Sequence, residues 1–232
     1  MAAVVAALAV AAGATAQAVS GIGFALVCAP FLVAAEGSHE GVRLAILLSA
    51  VLNLFMVARA RRDVRVADAG LLLLPAAVAT PLLALVVRDL PERTLSLVAG
   101  LVILVAVAAL ASGLRVDRAR GRGGAVAAAV VSAGMNVVSG VGGPPVALYA
   151  VNAGWPVRTA RATLQAYFLC LNVVAVAGLG LPSFRPVLLV AMAVGWAAGA
   201  ALDRLVPDSA ATTAILTVAA LGGLLTVVRA VT

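Results

Sequence analysis

Asn136-Val137-Val138-Ser139-Gly140-Val141-Gly142-Gly143-Pro144-Pro145 interrupts an otherwise apolar stretch, and a shorter form of the same phrase, Gln17-Ala18-Val19-Ser20-Gly21-Ile22-Gly23, interrupts another. Position 17 maps to 136 and position 53 to 172 by one offset of 119, which relates Leu52-Asn53 to Leu171-Asn172 as well. Two landmarks sharing an offset of half the chain indicate a duplicated module. A Gly-Gly-Pro-Pro run does not fit inside a continuous helix, because proline removes an amide donor and clashes with the preceding turn. Apolar segments broken at matching places in two halves are the sequence sign of a membrane carrier's binding site.

Composition sets the solvent. Hydrophobic residues make up 64% of 232 and charged residues 11%, with a mean hydropathy of +1.18. A soluble domain of that length could not bury so much apolar surface, so the bilayer is the expected solvent and lipid the first partner. All 16 basic residues are arginine and the net charge is +7. These charges fall in loops between apolar runs, which assigns them to orientation and headgroup contact and excludes nucleic acid as a partner. Cys28 and Cys170 lie inside apolar runs and suggest neither a disulfide nor a metal site. Ala14-Thr15-Ala16 resembles a cleavage signal, but no positive segment precedes it, and the segment is expected to stay.

Apolar stretches span 2–35, 42–58, 69–87, 95–114, 125–152, 162–181, 187–205 and 210–228. The first and fifth are too long for one crossing and carry the glycine phrase. They are read as half-helix pairs, 2–16 with 24–35 and 125–135 with 144–152. The expected fold is an all-α polytopic membrane protein of two repeated modules. Each is a broken, re-entrant helix pair plus three transmembrane helices, at 1–114 and 125–232, with a basic cytoplasmic linker at 115–124. Loops 59–68 and 115–122 each carry four arginines and are separated by two spans, so both face the cytoplasm. If both pairs turn back, 11 arginines lie inside and five outside; if both cross, the split is 10 to 6. The first arrangement, with inverted repeats and both termini outside, is favoured.

Irregular backbone in a membrane must line a cavity or be buried in protein. Gly21, Gly23, Gly140, Gly142 and Gly143 permit it, and Pro144 starts a helix where a missing N–H does no harm. Two helix N-termini meeting in the interior would attract an anion without a buried cation. Gln17, Ser20, Asn136 and Ser139 would add neutral donors. Arg161, Gln165, Phe168 and Asn172 share a helical face, and Asn53 is the module partner of Asn172. Asparagine is costly against lipid and should face the bundle interior. Substrate contact is weighed against simple interhelical bonding for the asparagines, and against headgroup anchoring for Arg161. His39, the single histidine, sits beside Glu36 and Glu40 and reads as a solvated loop residue.

No acidic residue or lysine falls at the centre of a span, so a carboxylate proton relay has no obvious carrier. No phosphate loop and no metal-ligand cluster stands out, and no cofactor is expected. An intramembrane hydrolase using Ser20 or Ser139 would need an interior base that is absent, so the chain is read as no enzyme. A scaffold without flux is the alternative reading. A homo-oligomer is left open.

The second phrase with Arg161-Ala162-Thr163, and Ser20-Gly21-Ile22-Gly23 in the first module, resemble the sulfite exporter TauE/SafE family over nearly the whole chain. One departure is that Phe24-Ala25-Leu26 follows Gly23, where family members often show a richer glycine run and a proline. The resemblance implies a multi-pass transporter of the cytoplasmic membrane. It also implies a small anionic solute, often a sulfur oxyanion such as sulfite or an organosulfonate.

Overall fold

The computed structural model describes residues 2–21, 23–113, 120–183, 185–202 and 207–231. Ten α-helices account for nearly all of them: α1 (Ala2–Ser20), α2 (Phe24–Glu36), α3 (Ser38–Ala60), α4 (Val66–Val87), α5 (Glu92–Ala111), α6 (Arg122–Ser139), α7 (Gly143–Asn152), α8 (Val157–Leu179), α9 (Pro186–Leu202) and α10 (Asp208–Val231). No strand occurs among the described residues. Six helices, α1, α3, α4, α5, α8 and α10, are long and apolar enough to cross a membrane. Their outward residues are large and apolar, as with Leu74, Val78, Leu82 and Val86 along α4 and Val105 on α5. A surface of that kind is matched to lipid and not to water.

The helix breaks fall where the glycine phrases stand, but the preceding helices run further than the sequence reading placed them. α1 continues to Ser20 instead of stopping at 16, and α6 runs from Arg122 to Ser139 instead of 125–135. Ser20 and Ser139 donate their hydroxyls to the carbonyls of Ala16 and Met135, one turn back, at 2.8 and 2.7 Å. Each serine is thereby accommodated within the helix. Termination waits for Gly21 and Gly140, at φ 77° and 73°, the left-handed conformation in which glycine ends a helix. Of the 115–124 linker, residues 115–119 lie outside the described residues, while Gly123 and Gly124 belong to the first turn of α6.

Contacts at the helix ends sort the elements into two groups. Arg185 pairs with Glu36 at 2.6 Å, Ser183 N–H donates to Glu40, Arg93 donates to the carbonyls of Ala230 and Val231, and His39 meets the Leu90 carbonyl. These join the 36–40, 88–93 and 180–185 turns and the α10 terminus at one end, called here the acidic-turn end. At the opposite, arginine-rich end, Arg158 pairs with Asp63 at 2.8 Å and Arg65 N–H donates to Thr163. α1 runs beside α9 in the same direction, with Gly195 against Ala11 and Gly199 against Thr15. A Cβ at Gly195 would lie only 2.1 Å from the Ala11 carbonyl oxygen, so small residues set this close approach. α2 follows α10, as Thr226 donates to the Pro30 carbonyl at 3.3 Å. α1 therefore begins, and α2 finishes, at the acidic-turn end. α6 runs beside α4, Gly134 facing Leu83, and α7 folds back along α6. Outside the consecutive α1–α2 pair, packing is most extensive between α1 and α9, α5 and α10, α3 and α8, and α4 and α6. Every one of these pairs joins a helix before residue 114 to one after residue 120.

Candidate functional site

Both breaks open onto one interior cavity of about 60 Å³. That volume holds about four waters or one small solute. Its walls include Gln17, Gly23 and Phe24 from the first break, Asn136 and Gly140 to Pro144 from the second, Ser49 and Asn53 from α3, and Phe168 and Asn172 from α8. The lining repeats by the offset of 119: Gln17 with Asn136, Gly23 with Gly142, Ser49 with Phe168, Asn53 with Asn172. Among the described residues, no charged side chain lines it.

The polar groups of the two halves are committed differently. Asn136 Nδ2 donates to Asn172 Oδ1 at 3.0 Å. Gln17 Oε1 instead accepts the Phe24 N–H at 3.1 Å, capping the first turn of α2. Asn53, 4% exposed, has no hydrogen-bond partner among the described residues, and the Ser49 hydroxyl beside it is buried and unpaired. At the second break, Ser132 donates to the Gly142 carbonyl at 2.6 Å and receives the Tyr167 hydroxyl at 3.0 Å. The Ser139 hydroxyl also accepts the Val141 N–H at 3.3 Å. These bonds fix the turn so that the α7 N-terminus faces the cavity. The Gly142 and Gly143 N–H groups meet no acceptor among the described residues. Pro144 and Pro145 have no N–H to offer. A helix N-terminus carries about half a positive charge, so α7 brings partial positive charge to this chamber without a cation.

Of the residues predicted from sequence, Gln17, Gly23, Asn53, Asn136, Gly140, Gly142, Gly143, Pro144 and Asn172 line this cavity. Ser20 and Ser139 back the breaks with hydroxyls turned into their own helices. Gly21, Arg161 and Gln165 lie together on the arginine-rich side. Gln165 Nε2 donates to the Gly21 carbonyl at 2.7 Å, and a Cβ at Gly21 would lie 2.6 Å from Arg161 Cδ. Arg161 and Gln165 face a second, larger chamber of about 650 Å³ that opens toward that end. Sequence reasoning did not assign Ser132 and Tyr167. Their trace was present, since Ser132 stands one turn before Asn136 and Tyr167 five residues before Asn172 in apolar helices.

Helices of membrane-spanning length, a lipid-matched surface and broken helices around a chamber with a few buried polar groups define a multi-pass membrane protein. The sequence model of the sulfite exporter TauE/SafE family matches residues 5–226. The chain belongs to that family, one of membrane transporters named for sulfite export. No curated protein and no solved structure gave a match.

Proposed function

We propose that this chain is a secondary transporter of the cytoplasmic membrane that exports or exchanges a small anion at the cavity between its two helix breaks. The family supports a sulfur oxyanion such as sulfite, or an organosulfonate, as the solute. The observation that carries the reading is the convergence of both breaks and both module asparagines on one chamber whose mostly apolar wall is broken by a few uncharged polar groups. The anion is held by the Gly142 and Gly143 N–H groups, the α7 dipole and the amides of Asn53, Asn136 and Asn172. Arg and Lys are absent from this lining, and that suits a carrier, whose site must be favourable enough to fill and weak enough to empty.

The helix directions support an inverted arrangement of modules 1–114 and 125–232. The α1–α2 pair enters and leaves at the acidic-turn end, and α6–α7 at the arginine-rich end. Arginine bias then places the arginine-rich end in the cytoplasm. Related but opposite halves around a midplane site are the architecture through which alternating access proceeds.

Uptake and counterflow in proteoliposomes test this reading, with sulfite, sulfate, thiosulfate, a sulfonate, a carboxylate and chloride, with and without a pH gradient. Saturable flux of one anion, lost in Gly142→Leu at normal protein levels, is expected. Wild-type flux in Gly142→Leu would refute the site. Folded, inserted protein that moves nothing in the panel would favour a scaffold.

A further inference from the structure

The larger chamber has charge chemistry the central cavity lacks. Among the described residues, Arg59, Arg158 and Arg161 line it with a single carboxylate, Asp63. Asp63 is already committed to Arg158 at 2.8 Å. Arg59 and Arg161 form no ion pair among the described residues. The Arg59 guanidinium carbon instead sits 5.4 Å from the ring centroids of both Phe55 and Trp196, which pack edge to face at 4.7 Å. Aromatic faces hold a guanidinium in place without neutralising it. The Trp196 ring also brings a donor: its indole N–H is buried without a partner. So is the Oε1 of Gln165, a residue only 2% exposed. Buried polar atoms without partners are rare and ask for an occupant.

Two unneutralised guanidiniums in one concave space suit an anion with oxygen acceptors, and the orphaned Trp196 N–H lies beneath the same wall. The orphaned Gln165 oxygen lies beneath the same wall. Gln165 also forms the partition: its amide N–H closes on the Gly21 carbonyl at 2.7 Å, where the first break meets this chamber. Gly21 is left-handed, and the Arg161 stem packs directly against it. The first helix break, the partition and the Arg161 side chain therefore lie side by side.

We propose that this chamber is a second anion site, in which Arg59 and Arg161 hold a small oxyanion beside the Trp196 ring before the Gly21–Gln165 hydrogen bond opens to the central cavity. The identity of the occupant with the transported anion rests on the function proposed above. Headgroup anchoring, the role weighed for Arg161 from sequence, involves the same phosphate-like chemistry, so the test separates a free ion from a lipid.

The chain has two tryptophans, so Trp155→Phe leaves Trp196 as the sole indole reporter. The full-length variant, purified in detergent without anionic lipid, is titrated with sulfite at constant ionic strength, with chloride as comparison. A saturable change in Trp196 fluorescence with sulfite is expected. Arg59→Gln and Arg161→Gln should each raise the apparent Kd about tenfold or more, since each removes a charge-assisted contact. Asn53→Ala should leave this binding within about twofold, because the residue lines the other cavity. No sulfite response, or one unchanged in the Arg59→Gln, Arg161→Gln double variant, overturns the proposal. A response to phosphatidylglycerol but not to sulfite overturns it as well, in favour of lipid anchoring. Anion flux with a silent Trp196 removes this site and leaves the transport reading standing. A Trp196 response that needs the two arginines, without flux of any anion, does the reverse.

Discussion

Asn53 and Asn172 occupy equivalent positions in the two halves but have different obligations. Asn172 accepts from Asn136 at 3.0 Å, whereas Asn53 has no partner among the described residues. Asn172→Ala leaves the Asn136 amide without an acceptor, a loss of about 1–3 kcal/mol for a buried group. Asn53→Ala removes no protein bond, so its stability cost should stay below about 1 kcal/mol. Transport separates the two effects: Asn53→Ala is expected to lower kcat/KM for the anion by about tenfold, the equivalent of one lost hydrogen bond. Thermal unfolding in detergent and proteoliposome uptake check the pair, and an Asn53→Ala protein with full flux would remove Asn53 from the site. The glycines divide in a similar way. Gly142 has an ordinary φ of −91°, yet a Cβ there would meet the Ser132 carbonyl and Asn136 Cβ at 3.0 Å. Gly143 offers open space, its nearest neighbour being Phe168 Cζ at 3.8 Å. Gly142→Ala should therefore lower the melting temperature and the flux, while Gly143→Ala leaves the melting temperature near that of the parent. Equal melting temperatures would show that the second break is looser than its contacts imply.

The two breaks, related in sequence by the offset of 119, are held by different devices. Ser132 and Tyr167 tie down the Gly142 carbonyl in the second half. Their counterparts by the offset of 119 are Gly13 and Leu48, which have no hydroxyl, and the first break relies on Gln17 reaching Phe24. Ser132→Ala strips partners from both the Gly142 carbonyl and the Tyr167 hydroxyl, at about 1–3 kcal/mol each at most. Tyr167→Phe removes one donor and leaves the Ser132 bond to Gly142 intact, at about 0.5–1.5 kcal/mol. Ser132→Ala should thus be the more destabilising in a thermal melt, and the opposite order would show that the tether is not formed in the membrane. The positions of the breaks were legible from the glycine phrases because proline and repeated glycine leave a helix few options. Their boundaries were not, since Ser20 and Ser139 satisfy themselves one turn back and let the helix continue. One stripe on α8 also misled by its length. Arg161 to Asn172 shares a face, but 11 residues of helix rise about 16 Å, far enough to visit both chambers. Periodicity reports the face of a side chain and says nothing of its depth.

At the scale of the molecule the modules are interlocked. α1 packs on α9 and α6 on α4, so each broken helix is supported by a helix of the other half. Under the proposed alternating access, unequal tethers in such a frame would let one break yield before the other as the halves rock about their shared site. The direction of each helix carries the last prediction. An inverted arrangement puts the 88–93 and 180–185 turns on the same face of the membrane, and a parallel one puts them on opposite faces. Ser183 N–H bonds to Glu40, and His39 meets Leu90, so the structure groups these turns at one end. Single cysteines test the grouping after Cys28 and Cys170 are replaced by alanine: Asp89→Cys, Ser183→Cys and Arg62→Cys, each at an exposed position. A membrane-impermeant maleimide applied to intact cells should label Asp89→Cys and Ser183→Cys, and label Arg62→Cys only after permeabilisation. Labelling of Asp89→Cys without Ser183→Cys would establish parallel modules and undo the pseudo-symmetric carrier. Labelling of Arg62→Cys alone would keep the inverted modules and reverse their orientation, placing the arginine-lined chamber on the outer face as an entrance for uptake.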